Sequence, residues 1–136
     1  AQKNIALELI LDGVHVSDET LKEVLASGDR RTILITDSMS AAGSVDGSYS
    51  IGSLEVSVIN GVARLTSNHS LAGSTLTMDK AFINFLQFNK NIVDCVFAAS
   101  TLPAKTLGLH AVGELGVGKK AHILEYRDST ISVVTS

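Results

Sequence analysis

Two short apolar runs, Ile5-Ala6-Leu7-Glu8-Leu9-Ile10-Leu11 and Thr32-Ile33-Leu34-Ile35-Thr36, flank a single helical pattern, and this arrangement constrains the fold more than any other feature of the chain. Both runs are too continuously apolar for strands with one wet face and read as strands covered on both faces. Asp12-Gly13 breaks the first run. Ser17 through Ala26 then carries Asp18 and Glu19 in its first turn, Leu21, Val24 and Leu25 at helical spacing, and Gly28 just past its end, the pattern of a short helix with a serine cap. Strand, helix, strand over roughly thirty residues predicts a parallel β/α unit, because parallel strands need a crossover and not a tight turn. A complete eight-fold β/α barrel takes roughly 200 residues or more. At 136 residues this chain cannot form one alone.

The pattern changes between Gly43 and Leu65 to Gly-rich turns and short alternating strands. Val56-Ser57-Val58-Ile59, the turn dipeptide Asn60-Gly61 and Val62-Ala63-Arg64-Leu65 predict a β-hairpin. From Ser74 to Phe88 the spacing returns to helix, with Leu76, Ala81, Phe82, Phe85, Leu86 and Phe88 forming a wide apolar face that reads as core. A helix over Asn91–Ser100, a short one at Pro103–Leu109, and strands at Ala121–Tyr126 and Thr130–Val134 complete the reading.

A net charge of −3 and a pI near 5.7 offer no basic footprint for a phosphate backbone, so nucleic acid is not an expected partner. No apolar run approaches the roughly 18–20 residues of a membrane span, and no membrane partner is expected. Ala1-Gln2-Lys3-Asn4 leads straight into the first run, without the pattern of a signal peptide. The one cysteine, Cys95, cannot make an internal disulfide and reads as a small buried hydrophobe, so a reducing, cytoplasmic location is expected. Charged residues are 18% of the chain, below the usual 25% or so, and mean hydropathy is +0.28, so something is expected to cover part of its surface.

The histidines at positions 15, 69, 110 and 122 form no His-x-His or His-x-x-x-His pair, so local spacing assembles no metal site. No nucleophile elbow, phosphate loop or Cys–His signature occurs, and Gly113-x-x-Gly116-x-Gly118 lacks the strand before it and the helix after it that a dinucleotide site requires. Position is more informative. Asp12 and His15 follow the first predicted strand and Asp37 follows the second, where the polar groups of β/α folds face an active site. Asp37 can equally be read as a turn or cap residue, and His15 as a partly buried histidine satisfied by backbone.

Several stretches carry a family resemblance. Glu8-Leu9-Ile10-x-Asp12-Gly13-x-His15-Val16, Ile35-Thr36-Asp37-Ser38-Met39-x-Ala41-Ala42-Gly43, Asp46-Gly47-x-Tyr49, Asn60-Gly61-Val62-Ala63-Arg64-Leu65 and Leu71-Ala72-Gly73-Ser74-Thr75-Leu76-Thr77-Met78-Asp79 resemble, in order and spacing, the C-terminal part of the N-acetylglucosamine-6-phosphate deacetylase family. Ala99-Ser100-x-x-Pro103-Ala104-x-x-Leu107-Gly108-Leu109, with Gly113-x-Leu115-x-x-Gly118-x-x-Ala121, resembles the closing signature of the wider amidohydrolase superfamily. Ser67-Asn68-His69-Ser70 departs from the acidic turn usual in the family, and His122 stands where the superfamily commonly has Asp.

The resemblance implies an α/β fold: a C-terminal fragment of an amidohydrolase (β/α)8 barrel, comprising its last two strands and following helices, plus strands of a small β-sandwich. Residues 1–42 and 66–112 would be barrel, 43–65 a β-hairpin insertion, and 113–136 sandwich strands. By the same resemblance Asp37 matches the family's catalytic aspartate. His15 matches a substrate-contacting histidine at the sugar phosphate, and Leu71, Ala72 and Gly73 match a substrate-contacting segment ahead of a helix that Ser74 would cap. A divalent metal, zinc or iron, would be held by a Glu and two His upstream of Ala1, with no metal ligand in this chain. The implied activity is hydrolysis of N-acetyl-D-glucosamine 6-phosphate in amino-sugar catabolism, the partner being that amino-sugar phosphate, while the isolated chain would be inactive. The alternatives are an amidohydrolase acting on another amide, or a non-catalytic binding or regulatory domain derived from one. Unpaired strand edges and uncovered apolar faces predict self-association, a homo-oligomer. His69 reads as a solvated turn residue and His122 as a strand residue at a domain seam.

Overall fold

The computed structural model describes residues 5–27 and 30–135, so Gly28, read as the stop of the first helix, and the leading Ala1-Gln2-Lys3-Asn4 lie outside the described residues. Strand β1, Leu7–Ile10, is followed by helix α1, Asp18–Ala26, and strand β2, Thr32–Ile35. The two strands are parallel, in register from Leu7 opposite Thr32 to Ile10 opposite Ile35. Ser17 caps α1, its hydroxyl accepting the Thr20 N–H at 3.2 Å.

Strand β2 is covered on both faces, with Thr32, Ile33 and Leu34 all buried. Strand β1 is not. Leu9 is buried against the helices, but Glu8 is exposed and Ile10 half-buried. Among the described residues β1 and β2 form a sheet of their own, so the edge of β1 away from β2 has no strand paired to it.

The predicted hairpin forms and gains a third strand. Strands β3, Gly47–Ile51, β4, Leu54–Ile59, and β5, Val62–Leu65, make an antiparallel sheet in that order. Its small core comprises Ala41, Val56, Val58, Ala63 and Ala72. The carboxylate of Asp46 accepts the backbone N–H groups of Asn60 and Gly61, tying the loop before β3 to the β4–β5 turn.

Helix α2, Met78–Asn89, begins later than the apolar spacing suggests and buries Ala81, Phe82 and Phe85. Ser74 does not cap it. Thr77 occupies the cap position, and the hydroxyl of Ser74 is engaged elsewhere. The two helices expected between Asn91 and Leu109 are one continuous helical run: α3, Ile92–Val96, a π-helical turn, Phe97–Thr101, and α4, Leu102–Thr106. The Leu102 N–H reaches back to the Phe97 carbonyl. This wider turn lets Pro103 sit in the first turn of α4, where its missing N–H leaves no bond unmade.

Strands β6, Ile123–Arg127, and β7, Thr130–Thr135, pair as an antiparallel hairpin. Asp128 and Ser129 at its tip both have positive φ, 49° and 60°, as a tight two-residue turn requires. Tyr126 packs on Phe82, ring centroids 5.7 Å apart and tilted 58°, which joins the hairpin to the main core of Leu9, Leu11, Leu21, Leu34, Phe82, Phe85, Cys95 and Ala98. His122 precedes β6 and is exposed, so it is a loop residue and not part of the strand. The Gly113 region serves packing: a methyl group there would lie 2.4 Å from the Ala104 side chain, and the Gly113 carbonyl accepts the Thr101 hydroxyl at 2.7 Å.

Candidate active site

The parallel register places the loops that leave β1 and β2 at one edge of the sheet. Asp12 stands beyond Ile10 by the same number of residues as Asp37 stands beyond Ile35, and Ile10 and Ile35 are partners.

Asp37 adopts a left-handed conformation, φ 49°, which a non-glycine residue keeps only where its surroundings hold it. The hold comes from residues 71–76. The Asp37 carbonyl accepts the Ser74 N–H at 2.8 Å, and the Ser74 carbonyl accepts the Met39 N–H at 2.9 Å, a short parallel bridge of Ser38 with Ser74. The Ser74 hydroxyl donates to the Thr36 carbonyl and accepts the Leu76 N–H at 3.1 Å, while the Ser38 hydroxyl donates to the Leu76 carbonyl at 2.6 Å. Ser74 is thus a clamp on the backbone around Asp37, a role no local pattern could reveal because its partners are distant in sequence. Asp37 itself is exposed, and its carboxylate has no hydrogen-bond partner among the described residues.

The same clamp brings Leu71, Ala72 and Gly73 to Asp37. The Ala72 N–H donates to the Ala63 carbonyl at 3.1 Å and Leu71 bridges Arg64, so the segment is a short extension of the three-stranded sheet. Gly73 has φ 63° and packs against Asp37, with no room for a side chain between them.

His15 sits in a turn built by Asp12. One carboxylate oxygen, Oδ1, accepts the N–H groups of Val14 and His15, each at 2.9 Å, and the other, Oδ2, meets the ring Nδ1 of His15 at 2.7 Å. An Asp followed by Gly, with backbone donors two and three residues on, is an Asx turn, a signal present in Asp12-Gly13-Val14-His15. Asn84 of α2 steadies this loop by donating to the Leu11 carbonyl at 2.7 Å. His69 stands apart from these groups, exposed in the turn after β5 with φ 60°, its carbonyl accepting from Arg64 at 2.8 Å. Among the described residues no three His, Cys, Asp or Glu side chains come together as a metal site. Cys95 is buried in the main core, burial and the neighbouring Asp94 pushing its thiol up to about 11.

No family model matches the chain. It is 39% identical over 124 residues to a provisionally named N-acetylgalactosamine-6-phosphate deacetylase of Escherichia coli K12, an alignment covering 90% of this chain and 74% of that protein. It is also 38% identical over 120 residues to the N-acetylglucosamine-6-phosphate deacetylase of Vibrio furnissii, covering 87% of this chain and 30% of that one. This chain belongs to the N-acetylglucosamine-6-phosphate deacetylase family.

Solved structures agree. The Mycobacterium smegmatis N-acetyl-D-glucosamine-6-phosphate deacetylase, an alanine mutant in complex with N-acetyl-D-glucosamine-6-phosphate, superposes with a TM-score of 0.81 at 34% identity, covering 88% of this chain and 32% of that chain. The Thermotoga maritima deacetylase gives 0.78 at 40% identity, with 85% and 32% coverage. The chain therefore spans about a third of these two deacetylases and corresponds to a C-terminal portion of the fold, in keeping with its mixture of β/α unit, small sheets and helices.

Proposed function

We propose that this segment supplies the acid/base carboxylate and part of the sugar-phosphate site of a deacetylase that hydrolyses N-acetyl-D-glucosamine 6-phosphate to D-glucosamine 6-phosphate and acetate. The observation that carries this is Asp37: an exposed carboxylate at the carboxyl edge of a parallel pair, free of hydrogen-bond partners among the described residues, on a backbone fixed in a left-handed conformation by Ser74. Amide hydrolysis needs a base for the attacking water and an acid for the amine that leaves. Asp37 can do both: it takes a proton from the water as oxygen bonds to the acetyl carbon, then returns it to nitrogen as the C–N bond breaks.

His15 would donate an N–H to an anionic phosphoryl oxygen, and Leu71, Ala72 and Gly73 would line the sugar, glycine permitting close approach. The described residues do not by themselves fit a divalent metal. Zinc or iron belongs to this reading as an ion held by residues outside this chain. No helix among the described residues is long and apolar enough to cross a membrane.

The E. coli K12 relative supports a second reading. This chain covers 74% of it, so a protein not much longer than this segment exists in the family, and such a protein could bind an amino-sugar phosphate without hydrolysing it. Acetate release by a full-length deacetylase carrying this segment, measured on the 6-phosphates of N-acetylglucosamine and N-acetylgalactosamine, tests both readings. Turnover of the glucosamine compound is expected; preference for the galactosamine epimer would move the substrate assignment, and no release from either would remove the hydrolase.

A further inference from the structure

The contacts of Asp12 exceed what its turn requires. Oδ1 alone closes the turn on Val14 and His15, yet Oδ2 is directed at the imidazole, 2.7 Å from Nδ1, with the His15 and Asp12 side chains 18% and 15% exposed. Burial raises the Asp12 carboxyl pKa, but the backbone N–H groups of His15 and Val14 and the His15 ring outweigh it and hold the group below its ordinary value. An ionised carboxylate only accepts hydrogen bonds, so the shared proton belongs to Nδ1. The ring's other nitrogen, Nε2, makes no hydrogen bond among the described residues, so its bonding capacity is left for an incoming group.

We propose that Asp12 is a positioning residue for His15: it fixes the ring orientation and the site of its proton, so that Nε2 is the atom presented to an anionic oxygen of the sugar phosphate. As an imidazolium the ring donates from both nitrogens, Nδ1 to Asp12 and Nε2 to the phosphoryl oxygen. The carboxylate then balances the cation in a site largely removed from water. The choice of ligand rests on the deacetylase reading above; the state of the ring does not.

Asp12→Asn separates positioning from mere turn formation. Its amide oxygen can still close the turn on Val14 and His15, but its NH2 group then faces Nδ1 and requires a bare nitrogen there. Long-range 1H–15N spectra of the His15 ring in the 136-residue chain read this directly. In the wild type the neutral ring is expected to carry its proton on Nδ1, and in Asp12→Asn on Nε2. A wild-type ring protonated at Nε2, or one tautomer common to both proteins, overturns the positioning role, and the wild-type spectrum alone suffices should the variant not fold.

In a full-length deacetylase carrying this segment, Asp12→Asn should raise KM for N-acetyl-D-glucosamine 6-phosphate about tenfold while kcat stays within about twofold, the mark of binding lost equally from ground and transition states. An unchanged KM overturns the claim that the Asp12 carboxylate, by balancing a cationic ring, strengthens its contact with the phosphate, since the variant keeps a donor on Nε2 and loses only the charge. Absence of acetate release by the wild-type enzyme counts instead against the deacetylase reading, and the spectra still decide the state of the ring.

Discussion

Gly73 lies against Asp37 so closely that a Cβ built on it would fall 3.0 Å from the Asp37 carbonyl oxygen and 3.8 Å from its carboxylate Oδ2. Two left-handed residues, φ 63° and 49°, are thus packed against each other, with the Ser74 N–H closing the contact on the Asp37 carbonyl. Any side chain at position 73 must displace Asp37 or be displaced by it.

Gly73→Ala is therefore expected to cost about 1–2 kcal/mol of stability from the left-handed backbone alone, seen as a lower urea midpoint. In a full-length deacetylase it should also lower kcat/KM, by less than the roughly hundredfold that a displacement of about an ångström costs, because the Asp37 backbone need give only by a few tenths of an ångström. A variant with wild-type stability and turnover would show that the contact constrains nothing.

Cys95 should be inert in the folded chain. Its thiol, ordinarily near 9.0, is pushed up to about 11 by burial and then by the charge of Asp94, so the folded form keeps the proton to higher pH than the unfolded one. The contribution of this group to stability is full below pH 9 and is lost as pH rises toward 11. Thiol labelling at pH 8 should proceed only through unfolding, with its rate tracking denaturant concentration. Rapid labelling of native protein would contradict the burial.

On the acid side Asp12 sets the direction. Burial raises its carboxyl pKa, but the hydrogen bonds from His15 and Val14 outweigh that, leaving the folded value below the ordinary 3.8. Its contribution is present above that ordinary value and is lost as pH falls through the folded value. Urea denaturation of wild type and Asp12→Ala should differ at pH 6 and converge toward pH 2. A difference that grows on acidification would reverse the sign.

The parallel unit was legible because two uninterrupted apolar runs around a capped helix admit few other arrangements, and the left-over polar positions, Asp12, His15 and Asp37, then fall at one edge. What escaped was long-range. β3, Gly-Ser-Tyr-Ser-Ile, is mostly exposed and lacks the alternation that marks a strand; pairing with β4 makes it one. Ser74 ahead of an apolar stripe looks like any helix cap, yet its hydroxyl goes to Thr36, a partner no local pattern reveals. Pro103 reads as a break between two helices, but the π-helical turn before it keeps the run continuous. Glu8 is exposed and Ile10 only half-buried in a run that reads as covered on both faces, since what covers a face is decided by the rest of the fold.

The 136-residue chain by itself is expected to release no acetate, to bind no stoichiometric metal and to self-associate. The described residues bring no three metal-ligating side chains together, and Leu107, Leu115, Val117 and Val133 are each at least 70% exposed. Metal analysis, an acetate assay and light scattering on purified chain check the three expectations. One tightly bound metal with measurable deacetylation would reveal a complete site within this segment.

Asp37 is proposed to move the proton in amide hydrolysis, and kcat for acetate release from N-acetyl-D-glucosamine 6-phosphate by a full-length deacetylase carrying this segment with Asp37→Asn reads that role. The amide keeps the side chain's shape but cannot take the water's proton, and the exposed carboxylate leaves no bond behind to destabilise the fold. Turnover should fall by about 10²–10⁴-fold at unchanged thermal stability. Turnover within a few-fold of wild type would remove Asp37 from the reaction.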